Sequence, residues 1–260
     1  MKTVNSRLRC RLSMVGLFSR MVVAMTIRMP RWFVGWVSRR YVAGPTLDDA
    51  VKVMKRLSKE GACFTIDVLG EEISTMEEAQ FFLEEYQRVV SAIIDNNLDS
   101  NLSIKPTAFG LLLDKDKGME NIEAIVKMAH GYDMFVRLDM EDHRVTDDTI
   151  QVMLEMHEKG LTNVGVVLQG RLFRTLDDIK NIEQKIGPNA DYRICKGIYL
   201  EPEEIAHSNR QPIIDATNQC IDAMLDSGAY VGIASHDHPV INHTLTALES
   251  RGMGPGKEDP

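Results

Sequence analysis

The chain has few of the signatures that announce a functional class. Only four of its 260 residues are cysteine, Cys10, Cys63, Cys195 and Cys220, with no Cys-x-x-Cys pair or zinc-like spacing. That pattern excludes a disulfide framework and a zinc ribbon and suits a reducing, cytoplasmic setting. Two of the cysteines sit inside apolar strand-like runs, as small hydrophobes do. No Gly-x-Gly-x-x-Gly fingerprint is present, so a dinucleotide fold of that type is not indicated. No uninterrupted apolar run approaches the ~18 residues that would suggest a membrane span: Met14–Phe18 and Met21–Met25 are cut off by Arg20, Arg28 and Arg31. The collection of polar residues also lacks a Ser, Cys or Thr nucleophile with a plausible base.

Acidic residues are absent from the first 47 positions, which carry nine Lys or Arg. All 38 acids therefore lie in residues 48–260 beside 21 bases, and the body is near −17 although the whole chain is −8. Such a body does not suit nucleic acid as a partner. Residues 1–45 read as a basic, amphipathic helical arm, and three readings of it stay open: a helix docked on an acidic body, a helix lying on a membrane surface, or a targeting segment.

What the body does have is a repeating series. Apolar runs about five residues long alternate with roughly thirty residues of amphipathic sequence, and each run closes on a polar residue. The runs are Phe64–Asp67, Leu102–Lys105, Phe135–Asp139, Val164–Gln169, Arg193–Lys196 and Val231–His236. Helices are expected from Thr46, which precedes Asp48 and Asp49 as an N-cap, to Gly61, then over 77–94, 119–129, 147–159, 176–186, 212–227 and 239–249. The helix over 77–94 carries Phe81, Phe82, Tyr86 and Val89–Val90 at helical spacing. The series predicts an α/β fold of the (βα)8 TIM-barrel type, distorted, with about six βα units present, the barrel occupying residues 46–260. Residues 251–260 read as a loop, so the chain looks interrupted two units short of closure, with sheet edges left to cover.

In such a barrel the C-terminal strand ends converge on one face. Lys105, followed by Pro106, would point into that mouth and grip a carboxylate, with Asp139 as its expected partner. Gln169 offers an amide, Arg193 a fixed fork of donors, Lys196 a phosphate-binding charge and His236 a donor or stacking ring. His236, Asp237, His238 and His243 suggest a metal only weakly, because barrel metal sites draw ligands from several strand ends; no metal is expected. Glu141 and Asp142 read as a loop rim, and Gly160, Gly165 and Gly170 as turn or packing glycines.

Taken in order, these segments resemble a known family. Arg40–Gly44, Ile66–Glu71, Ser103–Thr107, Val136–Asp142, Val167–Gln169, Lys196–Tyr199 with Glu201–Pro202, and Ser235–Asp237 are similar to bacterial monofunctional proline dehydrogenase over about residues 40–260. The resemblance implies an FAD-dependent enzyme that oxidises L-proline to 1-pyrroline-5-carboxylate and passes electrons to a membrane quinone. It also implies a cytoplasmic protein with peripheral contact on the inner face of the cytoplasmic membrane. Carried over by position, Lys105 meets the substrate carboxylate, and the catalytic pair is Asp139, the acid beside Lys105, with Arg193 beside the flavin ring. Met140, Gln169, Lys196, Gly197, Ile198, Ser235 and His236 contact FAD. Three departures stand out: the chain stops before the family's Tyr and paired Arg, Gly170–Arg171 replaces a small residue and an aromatic ring, and Pro106 and Phe109 stand where aliphatic residues are common. The competing expectation is a catalytically impaired fragment that binds flavin or a partner.

Overall fold

The computed structural model describes Pro30, Phe33 and residues 41–71 and 73–253. Most of the expected N-terminal arm, and the last seven residues of the expected terminal loop, lie outside them. The chain divides into two compact units, residues 1–56 and 57–260. Helix α1 (Leu47–Ser58) begins in the first, where Thr46 opens it as expected: Asp49 N donates to the Thr46 hydroxyl at 3.2 Å, and that hydroxyl donates to Asp49 Oδ2 at 2.8 Å.

The second unit alternates strands and helices: β1 (Phe64–Ile66), α2 (Met76–Asp95), β2 (Ser100–Ile104), α3 (Lys115–His130), β3 (Val136–Leu138), α4 (Thr146–Glu158), β4 (Val164–Gln169), α5 (Thr175–Ile186), β5 (Asp191–Cys195), α6 (Arg210–Asp226), β6 (Tyr230–Ile233) and α7 (His238–Ser250). All six strands are parallel and lie in the order β1-β2-β3-β4-β5-β6, the curled sheet of six barrel units. Each expected helix and strand is present, displaced by a few residues at its ends.

Strand alternation sorts the sheet into two faces. Leu102, Ile104, Val136, Leu138, Val164, Val166, Leu168, Tyr192 and Ile194 are buried on the helix-facing side. Burying each such side chain contributes about 1.5–3 kcal/mol, so this layer is where the unit is held together. The opposite face carries Ser103 beside Arg137 beside Gly165, and Val167 beside Arg193. Polar side chains thus fill an interior that apolar layers usually occupy.

Helix α2 shows where the sequence pattern misleads. Its buried stripe is Ala79, Leu83, Tyr86, Val89, Val90 and Ile93, and Phe81 is exposed. Phe82 turns instead toward the loop after β1, where a Cβ on Gly70 would lie 2.0 Å from its ring. Thr75 caps the helix, accepting from Glu78 N at 3.3 Å, while Glu78 Oε2 accepts from Ser74 N at 2.7 Å.

Candidate active site

The strand ends bring four charges together. Lys105 follows β2 and donates to Asp67 Oδ2, just after β1, at 2.5 Å; Asp139 Oδ2, just after β3, is 3.9 Å from the same ammonium. The nearer partner of Lys105 is therefore Asp67, and the expected Lys105–Asp139 contact is the longer of the two. The Ser103 hydroxyl donates to Asp139 Oδ1 at 2.7 Å, and Arg193 Nη1, reaching over from β5, donates to Ser103 Oγ at 3.1 Å and Asp139 Oδ1 at 3.4 Å. Two acids and two bases make the cluster neutral as a set.

Tyr86 supports it from α2. Its hydroxyl accepts from Val68 N at 3.1 Å and lies 3.0 Å from Asp67 Oδ1 and 2.8 Å from the Ser103 carbonyl oxygen, two acceptors that share its one proton. Burial, then the charge of Asp67, pushes its ionisation well above the usual tyrosine range. The hydroxyl is a fixed neutral donor.

Ionisation in the cluster follows from burial set against charge. Burial opposes the Lys105 ammonium, but the hydrogen bond and charge of Asp67, with Asp139 behind it, outweigh that and raise its pKa. Lys105 stays charged. Asp139 is shifted up: burial raises it more than Ser103, Arg193 and Lys105 lower it.

The expected loop-rim acid Glu141 is instead buried, accepting from Thr107 N at 3.0 Å and Thr107 Oγ1 at 2.5 Å. It braces the buried 3-10 turn Pro106–Phe109 that directs the chain after Lys105, which is why Pro106 and Phe109 are enclosed. Asp142 does lie near the rim, held by Arg144.

The remaining expected positions follow β3 to β6. Met140 is buried. Gln169 Nε2 donates to the Glu141 carbonyl at 2.7 Å, while its Oε1 is buried with no donor among the described residues. Gly197, at φ 92°, approaches this amide so closely that a Cβ there would lie 2.5 Å from Oε1, so the position needs glycine. Lys196 Nζ and Arg210 Nη2 each donate to Asp237, both at 2.7 Å, and Asp237 N donates to Ser235 Oγ at 3.1 Å. Ile198 and His236 are exposed. Arg171, which stands where the resembled family has an aromatic ring, is tied to carbonyls, Nη1 to Tyr199 at 2.5 Å and Nη2 to His207 at 3.2 Å. Among the described residues no group of three or more His, Cys, Asp or Glu is placed to hold a metal.

A family model described as proline dehydrogenase matches residues 50–257. The chain belongs to the proline dehydrogenase family. It is 35% identical over 207 residues to proline dehydrogenase 1 of Bacillus subtilis subsp. natto, covering 80% of this chain and 67% of that one. Identity to the proline dehydrogenase of Deinococcus radiodurans is 29% over 222 residues, 84% of this chain and 71% of that one. The fold is similar to proline utilization A (PutA) from Bdellovibrio bacteriovorus inactivated by N-propargylglycine, with a TM-score of 0.77 at 20% identity. That match covers 91% of this chain and 29% of the PutA chain.

Within this proline dehydrogenase sheet, Lys105, Asp139 and Arg193 share one cluster, Gln169 and Gly197 form a second contact, and Lys196 and Ser235 meet through Asp237. Sequence reasoning passed over Asp67 as a site residue, although it closes the first strand run as Lys105 closes the second. Tyr86 and Ser103 gave no comparable signal: one reads as a helix core residue, the other as a mid-strand polar residue.

Proposed function

We propose that the chain oxidises L-proline to 1-pyrroline-5-carboxylate at this cluster, with FAD as cofactor and a membrane quinone as electron acceptor. The observation that carries the reading is the charged Lys105 held between Asp67 and Asp139 beside Arg193, in a chain of the proline dehydrogenase family. The ammonium has three donors and uses one on Asp67 at 2.5 Å, which aims it and leaves donors for the carboxylate of proline. FAD, when bound, supplies the acceptor for the hydride leaving C5, and the protein supplies position and charge.

The residues fit such a group. The undonated Gln169 Oε1 is an acceptor for an imide N–H, and Gly197 keeps a side chain away from that amide. Lys196 and Arg210 share the single carboxylate of Asp237, leaving a net positive charge suited to a phosphate. Met140, Ile198, Ser235 and His236 complete the set assigned to FAD. The Arg193 guanidinium would favour negative charge gathering on the acceptor's polar edge. The acid-free N-terminal segment, with nine cations, suits an anionic membrane surface where a quinone is dissolved. Among the described residues no helix is long and apolar enough to cross a membrane.

Comparing two reductants of the flavin tests the assignment of Lys105. L-Proline is expected to reduce it about 10- to 100-fold more efficiently than pyrrolidine, the same ring without a carboxylate, as a charge-assisted hydrogen bond requires. Lys105→Met should erase most of that difference. Equal rates for the two amines in the unmodified chain would remove the basis for the assignment.

A further inference from the structure

Below the mouth, the interior face holds a second pair of charges that the reaction itself does not use. Arg137, on β3, is almost fully buried, and its guanidinium passes over Gly165 of β4 to reach β5, where Nη1 donates to the Asp191 carbonyl oxygen at 2.8 Å and Nη2 to the Asp191 carboxylate. The same guanidinium carbon lies 4.7 Å from the centre of the Phe135 ring. The crossing depends on a bare backbone: a Cβ on Gly165 would lie 2.3 Å from the Asp191 carbonyl oxygen and 2.7 Å from Arg137 Nη1. Three strands are therefore shaped around one ion pair.

Asp191 and Arg193 are two apart on the same strand, so both side chains face the interior. Arg193 thus has two carboxylates to choose between, Asp191 on its own strand and Asp139 at the mouth. In the structure it reaches Ser103 and Asp139, while Arg137 occupies Asp191. Asp191 is only partly buried, but left without Arg137 its carboxylate would be poorly solvated and would draw in the nearest flexible cation.

We propose that Arg137 is a positioning residue for Arg193: by engaging Asp191 it removes the competing carboxylate and leaves the Arg193 guanidinium directed at Ser103 and Asp139. The proposal rests on the reading of Arg193 as a residue of the reaction site. It assigns Gly165 the role of keeping the path between Arg137 and Asp191 clear.

The test is a second-site rescue with a structural readout. In Arg137→Met, crystals should show the Arg193 guanidinium moved onto Asp191, and proline-dependent flavin reduction should fall about 100-fold, as expected when a reaction-site group is displaced by an ångström or more. In the double variant Arg137→Met/Asp191→Leu, Arg193 should return to Asp139 and the rate should recover to within about threefold of the unmodified protein. A residue that only stabilises the sheet would give a double variant no better than the single one. Arg193 remaining on Asp139 in Arg137→Met, or a folded double variant that stays slow, overturns the proposal. Should Arg137→Met not fold, the double variant, which buries no unpaired charge at these positions, carries the test by the same criteria. The direction of Arg193 is read in crystals without flavin or proline, so the failure of this proposal and the failure of the proline-oxidising reading are separately visible.

Discussion

Asp67 shows how one carboxylate sets the chemistry of its neighbours. It holds the Lys105 ammonium at 2.5 Å and lies 3.0 Å from the Tyr86 hydroxyl, so it both keeps the cation charged and fixes its direction. Asp67→Asn is expected to raise the KM for L-proline about tenfold with a smaller change in kcat, because a ground-state contact to the substrate carboxylate is loosened; steady-state kinetics across both parameters checks it. Glu141 leads to a pH prediction. Burial raises its pKa despite the bonds from Thr107, so between the ordinary carboxylate value and the raised one the folded chain binds more protons than the unfolded chain. Stability attributable to this group is full below about pH 4 and is lost as pH rises through the raised value. Glu141→Gln should flatten that decline in a series of urea melts from pH 4 upward. An unchanged slope would mean that the carboxyl titrates normally.

Among the elements, strands were easier to read from sequence than the faces of helices. Six apolar runs closing on polar residues located β1 to β6 because parallel strands covered by helices are apolar on one whole side, and that side dominates short windows. The α2 stripe was harder to read: Phe81 and Phe82 have the right spacing, but packing around Gly70 and the need to seat Tyr86 under the cluster rotate the buried face toward Ala79 and Leu83. Lys105, Asp139 and Arg193 were legible because each lies at or just beyond a strand. The Arg137–Asp191 pair was not, since neither residue differs by itself from a solvent-facing charge and only the register across Gly165 joins them. The same register makes Gly165 sensitive. Gly165→Ala should cost about 1–3 kcal/mol by urea denaturation, because the nearest obstruction is backbone 2.3 Å away and cannot swing aside.

For the second unit as a whole, each strand pairs with its sequence neighbours and the two end strands have one partner each among the described residues. β4 is buried along its full length, whereas β1 and β6 are only partly buried. Hydrogen exchange followed by mass spectrometry should therefore find the amides of β3 and β4 most protected and those of β1 and β6 exchanging first; uniform protection across the sheet would contradict the gradient. The charges of the site span this gradient, with Asp67 just after β1, Lys105 just after β2, Asp139 just after β3 and Arg193 on β5. The most direct measurement on the whole chain is the absorbance spectrum of the purified protein with FAD, before and after anaerobic addition of L-proline. A bound flavin band that bleaches with L-proline, and bleaches about 10- to 100-fold more slowly when Lys105→Met receives the same addition, is the expected result. A bound flavin that stays oxidised in the unmodified chain would contradict proline oxidation at this cluster and favour a flavin-binding module in its place.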